Sequence, residues 1–286
     1  MISALIDIGS NTIRLVVYDN DKEIENYADY AGLIADVSDG EISIVGIGKI
    51  IKALKMMKER AEKLGSETVY AFATASLRDI KEKDELVSFI KDATGIEIEI
   101  ITGEAEAYYD YMGLQMVNNV TDGAAFDLGG GSCQIMVFRN NKVDASVSLP
   151  LGGLRIHTDY VKGTLPDTDE KIKISDYVRD TVAKFTPFVS CGYDKLYAMG
   201  GSVFAIRSIA ETYFGSDCRL TEDVLRRICS LSEEELYKVA PKRIKSVVPA
   251  AIVMSELLKA SGANEVVPTE AGVRDGILFS KVLCNK

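Results

Sequence analysis

The sequence predicts an α/β protein made of two similar lobes with an interdomain cleft, and three observations lead to this prediction. The chain has 286 residues, which is enough for one large or two medium domains with a sizeable core. Short apolar strand segments alternate with segments of helical periodicity in both halves. The stretch IDIGSNTIRLVVY at 6–18 also aligns without gaps with FDLGGGSCQIMVF at 126–138, 120 residues further on. We therefore place the lobes at residues 1–120 and 121–286.

Apolar spacing predicts the individual elements of each half. The first half starts with the strand MISALIDIG and the hairpin, and continues with a helix that stops at Gly65, the strand TVYAFATAS, a helix, the strand IEIEII and a further helix. In the second half the hairpin is followed by AMGGSVFAIRSIAETYF, which predicts a strand, a Gly-Gly turn and a helix. The helices PAAIVMSELLKASG and AGVRDGILFSKVL close the chain around the short strand NEVVP.

The composition disfavours several classes of function. A net charge of −10 argues against general nucleic-acid binding, which requires a basic face, but it allows a phosphate substrate bound by a few cations and a metal. His157 is the single histidine, so a histidine-dependent triad or a histidine-rich metal site is effectively excluded. We interpret His157 as a structural residue of a helix.

The cysteines and the apolar segments favour a cytoplasmic protein without a membrane association. The cysteines are odd in number and form no C-x-x-C pair, which argues against a disulfide framework or a zinc site: Cys133, Cys191, Cys218, Cys229 and Cys284. No run approaches the roughly 18 apolar residues of a membrane helix. The segment MISALIDIG lacks both a basic stretch and a small-residue cleavage site, so it predicts a strand and not a signal peptide.

Each copy of the repeat consists of an apolar strand, an aspartate, a glycine-containing turn and a second apolar strand, which predicts a β-hairpin with a polar tip. Glycine lets backbone N–H groups approach an anion closely, so two matched tips favour a phosphate site over two plain turns. Neither tip is a Walker loop, and neither has G-x-G-x-x-G before a helix. The first tip is Gly9, Ser10, Asn11 and Thr12, and the second is Gly129, Gly130, Gly131 and Ser132.

Asp7 and Asp127 each end a predicted buried strand directly before a tip. A carboxylate in this position either caps its turn or binds a hard, oxygen-preferring cation such as magnesium. The second loop is richer in glycine, which makes Asp127 the stronger candidate for a metal ligand.

Four arginines are candidates for phosphate binding. Arg78 follows a buried strand in FATASLRD, where its guanidinium either binds phosphate oxygens or pairs with Asp79 at the surface. Arg14, Arg155 and Arg207 allow the same two interpretations.

Glu104 and Glu106 lie in the first turn of a predicted helix, where the helix dipole favours acidic side chains. A carboxylate there can also activate a water molecule if it faces a cleft. The two side chains point about 200° apart on a helix, so only one of them can face a site.

Two hairpin loops from duplicated lobes resemble the phosphate loops of the actin, sugar-kinase and chaperone-ATPase superfamily. Within it, the chain resembles the exopolyphosphatase / guanosine pentaphosphate phosphohydrolase (Ppx/GppA) family. The resemblance implies a duplicated actin-like ATPase (ribonuclease H-like) fold, in the short form without the C-terminal helical domains of longer members. It rests on seven stretches that follow the family's order: IDIGSNTIRLVV, FATASLRD, IEIITGEAEAYYDYMG, FDLGGGSCQIMVF, LPLGGLRI, AMGGSVFAI and VVPTEAGVRDGIL.

The resemblance implies a reaction and assigns roles to residues. The reaction is magnesium-dependent hydrolysis of a terminal phosphoanhydride bond in inorganic polyphosphate or pppGpp (guanosine pentaphosphate), and the family leads us to expect a homodimer. The catalytic glutamate falls on Glu106, the phosphate-binding arginine on Arg78 and the metal-site aspartate on Asp127. The phosphate loops fall on Ser10, Asn11 and Thr12 and on Gly129 to Ser132.

One position departs from the family's usual pattern. Family members usually have G-G-G-S-T-E, whereas this chain has G-G-G-S-C-Q, so Gln134 replaces a glutamate near the metal and the attacked phosphate. Glutamine can ligate or orient a water molecule, but it cannot accept a proton or add a negative charge. We expect weaker metal binding, a changed substrate preference or lost hydrolysis.

Three hypotheses follow from this sequence. The chain is a phosphohydrolase, a polyphosphate or alarmone sensor with weakened catalysis, or a small-molecule kinase of the same superfamily. The family-specific stretches favour the phosphohydrolase, and the short chain makes the kinase the weakest of the three.

Overall fold

The computed structural model describes residues 2–20 and 22–283, and these residues form two compact units. The first unit runs as far as Glu106 and resumes at Ile277, and the second extends from Ala107 to Gly276. This boundary falls within a helix, upstream of the point where the sequence repeat starts again.

The first unit contains a five-stranded sheet with helices between its strands. The strands of the sheet are β1 (Ile2–Ile8), β2 (Ile13–Asp19), β3 (Lys22–Asp29), β6 (Thr68–Ala73) and β7 (Ile98–Ile100). Two further short strands of this unit are β4 (Val37–Ser38) and β5 (Glu41–Ile42). Its helices are α1 (Ile44–Lys63), α2 (Ala75–Arg78), α3 (Lys83–Thr94) and the start of α4 (Gly103–Asn118), with a 3₁₀ turn at Leu33–Asp36. The sheet order is β3-β2-β1-β6-β7, and β4 pairs with β5 separately.

The second unit repeats this arrangement. Its strands are β8 (Gly123–Leu128), β9 (Cys133–Arg139), β10 (Lys142–Leu149), β11 (Lys195–Met199) and β12 (Glu265–Pro268), in the sheet order β10-β9-β8-β11-β12. Its helices are α5 (Gly153–Tyr160), α6 (Thr168–Val182), α7 (Gly201–Phe214), α8 (Glu222–Ile228), α9 (Glu233–Val239), α10 (Ile244–Ser261) and α11 (Val273–Ile277). A 3₁₀ turn at Pro241–Arg243 precedes α10, and a π-helical segment, Leu278–Leu283, follows α11.

The two sheets share their strand directions as well as their order. In each, the first three strands are antiparallel, and the first strand then pairs in parallel with the strand that follows the connecting helices. The 120-residue offset holds for β2 and β9 and also for β3 and β10. The predicted α/β architecture with a duplicated fold is therefore confirmed.

Each unit has its own apolar core because each element buries one face. In the first unit, α1 begins at the N-cap Ser43, whose hydroxyl accepts from Gly46 N–H at 3.1 Å. The apolar residues at helical spacing, including Ile50, Leu54 and Met57, are fully buried against the sheet. In the second unit, α10 packs its apolar length into the other core.

Some elements differ in extent from their sequence prediction. Helix α10 begins at Ile244, ahead of Pro249, which lies inside it. The segment after NEVVP is a short α-helix followed by π-helical turns and is not one continuous helix. None of the helices in the described ranges has the length and apolar character needed to cross a membrane. Of the cysteines, Cys133, Cys191, Cys218 and Cys229 are free thiols, and Cys284 lies outside the described residues.

Candidate active site

The first predicted loop joins β1 to β2 and is held in shape by hydrogen bonds to its backbone. Gly9 N–H donates to Thr12 O at 3.0 Å and closes the turn. From the following 3₁₀ turn, Gly32 N–H donates to Asn11 O and Ile34 N–H donates to Ser10 O, both at 3.0 Å. The carbonyl groups of Ser10 and Asn11 are therefore both hydrogen-bonded to the segment that carries the 3₁₀ turn.

The second loop, between β8 and β9, is held in the same way. Gly129 N–H donates to Ser132 O at 3.0 Å. From the first turn of α5, Gly153 N–H donates to Gly129 O at 3.1 Å, and Leu154 N–H donates to Gly130 O at 3.0 Å. Arg155 N–H also donates to Gly130 O, at 2.9 Å.

These bonds determine the direction in which the loop N–H groups point. In a trans peptide the N–H of one residue points opposite to the C=O of the residue before it. Because the carbonyls of Ser10 and Asn11 point towards the 3₁₀ turn, the N–H groups of Asn11 and Thr12 point away from it. By the same geometry, the N–H groups of Gly130 and Gly131 point away from α5. Each loop therefore presents successive backbone donors, which is the arrangement that binds anions.

Gly152 is required for the second loop to lie against α5. A Cβ atom at Gly152 would lie 2.4 Å from the carbonyl carbon and oxygen of Gly130 and from the carbonyl carbon of Gly131. Its counterpart at the 120-residue offset is Gly32, which has a φ of 60° and open space around the position of a Cβ. Gly152 lies in the stretch LPLGGLRI, but its correspondence to Gly32 was not predicted, although extending the ungapped repeat past the hairpins would have found it.

The residues opposite the two loop aspartates differ. Asp127 on β8 pairs with Gln134 on β9, which in turn pairs with Ser148 on β10. In the first unit, Asp7 on β1 pairs with Arg14 on β2. The loop aspartate therefore has a neutral amide as its cross-strand neighbour in one unit and a cation in the other.

Arg78 and Glu106 form a buried ion pair in the first unit. Arg78 Nη1 lies 2.7 Å from Glu106 Oε2, and the two side chains are 16% and 6% exposed. Arg78 Nη1 also donates to Ile101 O at 3.4 Å. Glu104, two residues earlier on α4, is exposed, so the structure separates the two glutamates as the helix geometry requires.

The turn of helix α2, which carries Arg78, is hydrogen-bonded to the end of β1. This single helical turn follows β6, and its Ser76 hydroxyl donates to Ile8 O at the end of β1, one residue before the loop. The loop, Arg78 and Glu106 thus all belong to the first unit, in which Arg78 and Glu106 are in direct contact. The combination offers backbone donors, a guanidinium fork and a carboxylate within one set of connected elements.

The other basic candidates make different contacts. Arg207 forms a surface pair with Glu211 at 2.8 Å, one turn along α7. Arg14 Nη1 donates to Asn26 Oδ1 at 2.5 Å, and the backbone of Arg155 contributes to the support of the second loop. His157 is buried in α5 with Nε2 3.1 Å from the carbonyl oxygens of Gly163 and Thr164, as expected of a structural residue.

Magnesium binding at Asp127 stays a prediction, and it would require ligands from outside the protein. Within the described ranges, no three His, Cys, Asp or Glu side chains cluster in a way that would hold a metal by themselves. Magnesium typically uses only one or two carboxylates and takes its other ligands from phosphates and water. Gly200, at a φ of 101°, packs closely against Asp127, because a Cβ there would lie 2.5 Å from Asp127 Oδ1.

Solved structures show which fold the two sheets form. An exopolyphosphatase from Cytophaga hutchinsonii superposes with a TM-score of 0.87 at 20% identity, over 98% of this chain and 97% of its own. A Ppx/GppA family member from Aquifex aeolicus gives a TM-score of 0.79 at 23% identity, over 100% and 99%. The chain has the actin-like ATPase fold.

Sequence comparison shows the family. The family model described as the Ppx/GppA phosphatase family matches residues 35–285, and this chain belongs to that family. Exopolyphosphatase 1 of Mycobacterium bovis is 22% identical over 97% of this chain and 87% of its own length. A guanosine-5'-triphosphate,3'-diphosphate pyrophosphatase of Photobacterium profundum is 24% identical over 79% of this chain and 46% of its own.

A third relative is longer than this chain. The bifunctional 3-dehydroquinate synthase/phosphatase of Fusobacterium nucleatum is 23% identical over 93% of this chain. This chain spans 44% of that protein's length, so the similarity concerns under half of it.

Proposed function

We propose that the chain is a phosphohydrolase that releases orthophosphate from a terminal phosphoanhydride bond with magnesium. Inorganic polyphosphate is the first substrate we propose, and pppGpp is the second. Relatives named exopolyphosphatase and guanosine-5'-triphosphate,3'-diphosphate pyrophosphatase support both choices.

The buried pair of Arg78 and Glu106 is the observation that carries this proposal. An arginine fork binds phosphate oxygens with two parallel hydrogen bonds, so a bound phosphoryl group competes with Glu106 for Arg78. As Arg78 turns to the phosphate, the carboxylate oxygen that accepted its hydrogen bond can accept one from the attacking water. Glu106 then orients that water and takes its proton.

The first loop, which lies in the same unit as Arg78 and Glu106, stabilises the charge that spreads over the oxygens of the transferred phosphoryl group. Catalysis of phosphoryl transfer consists mainly of positioning and charge stabilisation. The N–H groups of Asn11 and Thr12 supply fixed donors for this purpose. Those of Gly130 and Gly131 are donors of the same kind within the second unit.

Asp127 is the residue that we propose to hold magnesium. The bound cation would neutralise phosphate oxygens and draw electron density away from the phosphorus. Asp7 has Arg14 as its cross-strand neighbour, and this cation would compete with a metal for the carboxylate. Asp7 is therefore the weaker of the two metal ligands.

The test is orthophosphate release from long polyphosphate, short polyphosphate and pppGpp, each with and without magnesium. We expect Glu106→Gln to lower kcat by a factor of about 10² to 10⁴ while tripolyphosphate still binds. Glu106→Ala should abolish release as well, but it also leaves the Arg78 charge buried without its carboxylate, which costs about 3–5 kcal/mol of stability. Glu104→Gln, an exposed neighbour, is the matched control and should retain full activity.

Full activity in both Glu106 variants would contradict the assignment of Glu106. Activity on pppGpp alone would keep the reaction class and reverse the order of the two substrates.

A second function, phosphate-chain or alarmone sensing without turnover, is favoured by one observation, the neutral Gln134 beside Asp127. It predicts tight calorimetric binding with no orthophosphate release in the wild-type chain, and release that appears in Gln134→Glu.

A further inference from the structure

Gln134 lies in the middle of a row of polar side chains next to the second loop. It is only 1% exposed, and its neighbours in register are Asp127 on β8 and Ser148 on β10. Directly paired residues on adjacent strands bring their side chains together on one face. A side chain this deeply buried contributes through its contacts with its neighbours.

The amide of Gln134 donates two hydrogen bonds. Its Nε2 lies 2.9 Å from Ser132 Oγ and 2.9 Å from Ser148 Oγ. A primary amide has two N–H donors, and these two bonds use both. Ser132 is the last residue of the second loop, so the amide is bonded to the loop itself.

The hydrogen bond from Gln134 determines whether the Ser132 hydroxyl donates or accepts in its other hydrogen bonds. A hydroxyl that accepts from Gln134 keeps its own hydrogen to donate elsewhere. Ser132 is adjacent to Gly131, whose N–H points outward with that of Gly130. We propose, building on the phosphate-binding function proposed above, that Gln134 is a positioning residue that makes the Ser132 hydroxyl a hydrogen-bond donor to a substrate phosphate.

A carboxylate at this position would reverse the direction of the hydrogen bonds. It accepts only, so it would take the Ser132 hydrogen and leave the hydroxyl oxygen facing the phosphate. It would also add a second negative charge beside Asp127. The glutamine therefore favours binding of a polyanion at the second loop.

The experiment measures tripolyphosphate binding by titration calorimetry in the presence of a chelator, so that no metal contributes. We compare the wild-type chain with Gln134→Met, Ser132→Ala and the double variant. Because hydrogen bonds to charged groups are stronger than neutral ones, each single variant should bind about tenfold more weakly. The double variant should bind no more weakly than either single variant, because both changes break the same chain of bonds.

Two further measurements separate positioning from a merely structural role. In turnover, Gln134→Met should raise KM by more than it lowers kcat, because the lost bond serves binding. In Gln134→Glu, affinity relative to the wild type should rise as the pH falls from about 8 to about 5, because the protonated acid is neutral and can donate. If Gln134→Met does not fold, tripolyphosphate binding is measured with Gln134→Glu and Ser132→Ala instead.

Three results would each overturn the proposal. The first is wild-type affinity in Gln134→Met, and the second is a double variant whose loss is the product of the two single losses. The third is tighter binding by Gln134→Glu than by the wild type at about pH 8. A wild-type chain that binds tripolyphosphate in a Gln134-dependent way but releases no orthophosphate would reject the hydrolase function and leave the Gln134 proposal standing. If the wild-type chain binds no tripolyphosphate with the chelator, the Gln134 proposal is wrong. If it also releases no orthophosphate with magnesium, the proposed function is wrong as well.

Discussion

The loop of the first unit is supported by the short 3₁₀ turn at Leu33–Asp36, whereas the loop of the second is supported by the eight-residue helix α5. Both supports bind the loop carbonyls and direct the following N–H groups outward. The backbone design is therefore duplicated even though the supporting element is not. Two or three backbone N–H groups that donate to the loop carbonyls are enough to hold such a loop, and one helical turn can supply them.

The side chains around the two loops have diverged further than the backbones. The first loop has polar residues at its tip and a cation, Arg14, opposite its aspartate. The second has a glycine tip and the neutral Gln134 opposite Asp127. This difference agrees with the proposal that Asp127, and not Asp7, is the main ligand of a cation.

Among the substitutions that compare the two units, the largest expected effect comes from the two aspartates. Asp127→Asn should lower kcat/KM for orthophosphate release about a hundredfold and raise the magnesium concentration required, because a metal ligand is lost. Asp7→Asn should cost about tenfold or less, because Arg14 remains as a cation beside it. A magnesium titration of both variants measures the difference.

Equal losses in the two variants, with the same shift in magnesium requirement, would contradict the division of roles between the units. A larger loss in Asp7→Asn would reverse it.

The two supporting glycines give the next largest effect. An alanine Cβ at Gly152 would lie 2.4 Å from the backbone of the second loop, so Gly152→Ala must displace that loop. We expect activity to fall at least tenfold, because small displacements of positioned groups are costly in catalysis. Gly32→Ala has space for its Cβ but keeps a left-handed backbone, so it should cost about 1–2 kcal/mol of stability and little activity.

Steady-state kinetics and urea unfolding of the two variants separate these outcomes. If Gly152→Ala keeps full activity, the tight contact between the loop and α5 does not position the donors.

Much of this fold follows from local sequence patterns. The repeat at 6–18 and 126–138 predicts the duplicated hairpins because strand alternation and turn glycines are local signals. The helix α1 follows from apolar spacing in the same way, and it ends at Lys63, two residues before the predicted stop at Gly65.

Other features depend on contacts between segments that are far apart in the sequence. The pairing of Arg78 with Glu106 depends on how α2 and α4 meet, and the resemblance gave their roles but not their contact. Ser148 enters the site only through the register of β10, which a shift between Val143 and Ala145 alters. The need for glycine at position 152 appears only when α5 and the loop are seen together.

The smallest expected effect concerns α5, the support that only the second loop has. His157 lies in this helix at the position that corresponds to Val37 of the first unit, and burial lowers its pKa from the ordinary 6.5. The nearby Lys245 lowers the pKa further, whereas the hydrogen bonds to Thr164 O and Gly163 O and the charge of Glu170 partly oppose the shift. The folded chain therefore favours neutral His157.

This preference gives a direction for the pH dependence of stability. As the pH falls below about 6.5, the unfolded chain binds a proton at His157 before the folded chain does, so stability is lost there. Between about pH 7.5 and pH 5, the wild-type chain should lose more unfolding free energy than His157→Gln, by on the order of 1 kcal/mol or less. Urea unfolding of both chains at the two pH values measures this difference. Since other acids titrate identically in both chains, equal losses would show that His157 does not make the support of the second loop sensitive to acid.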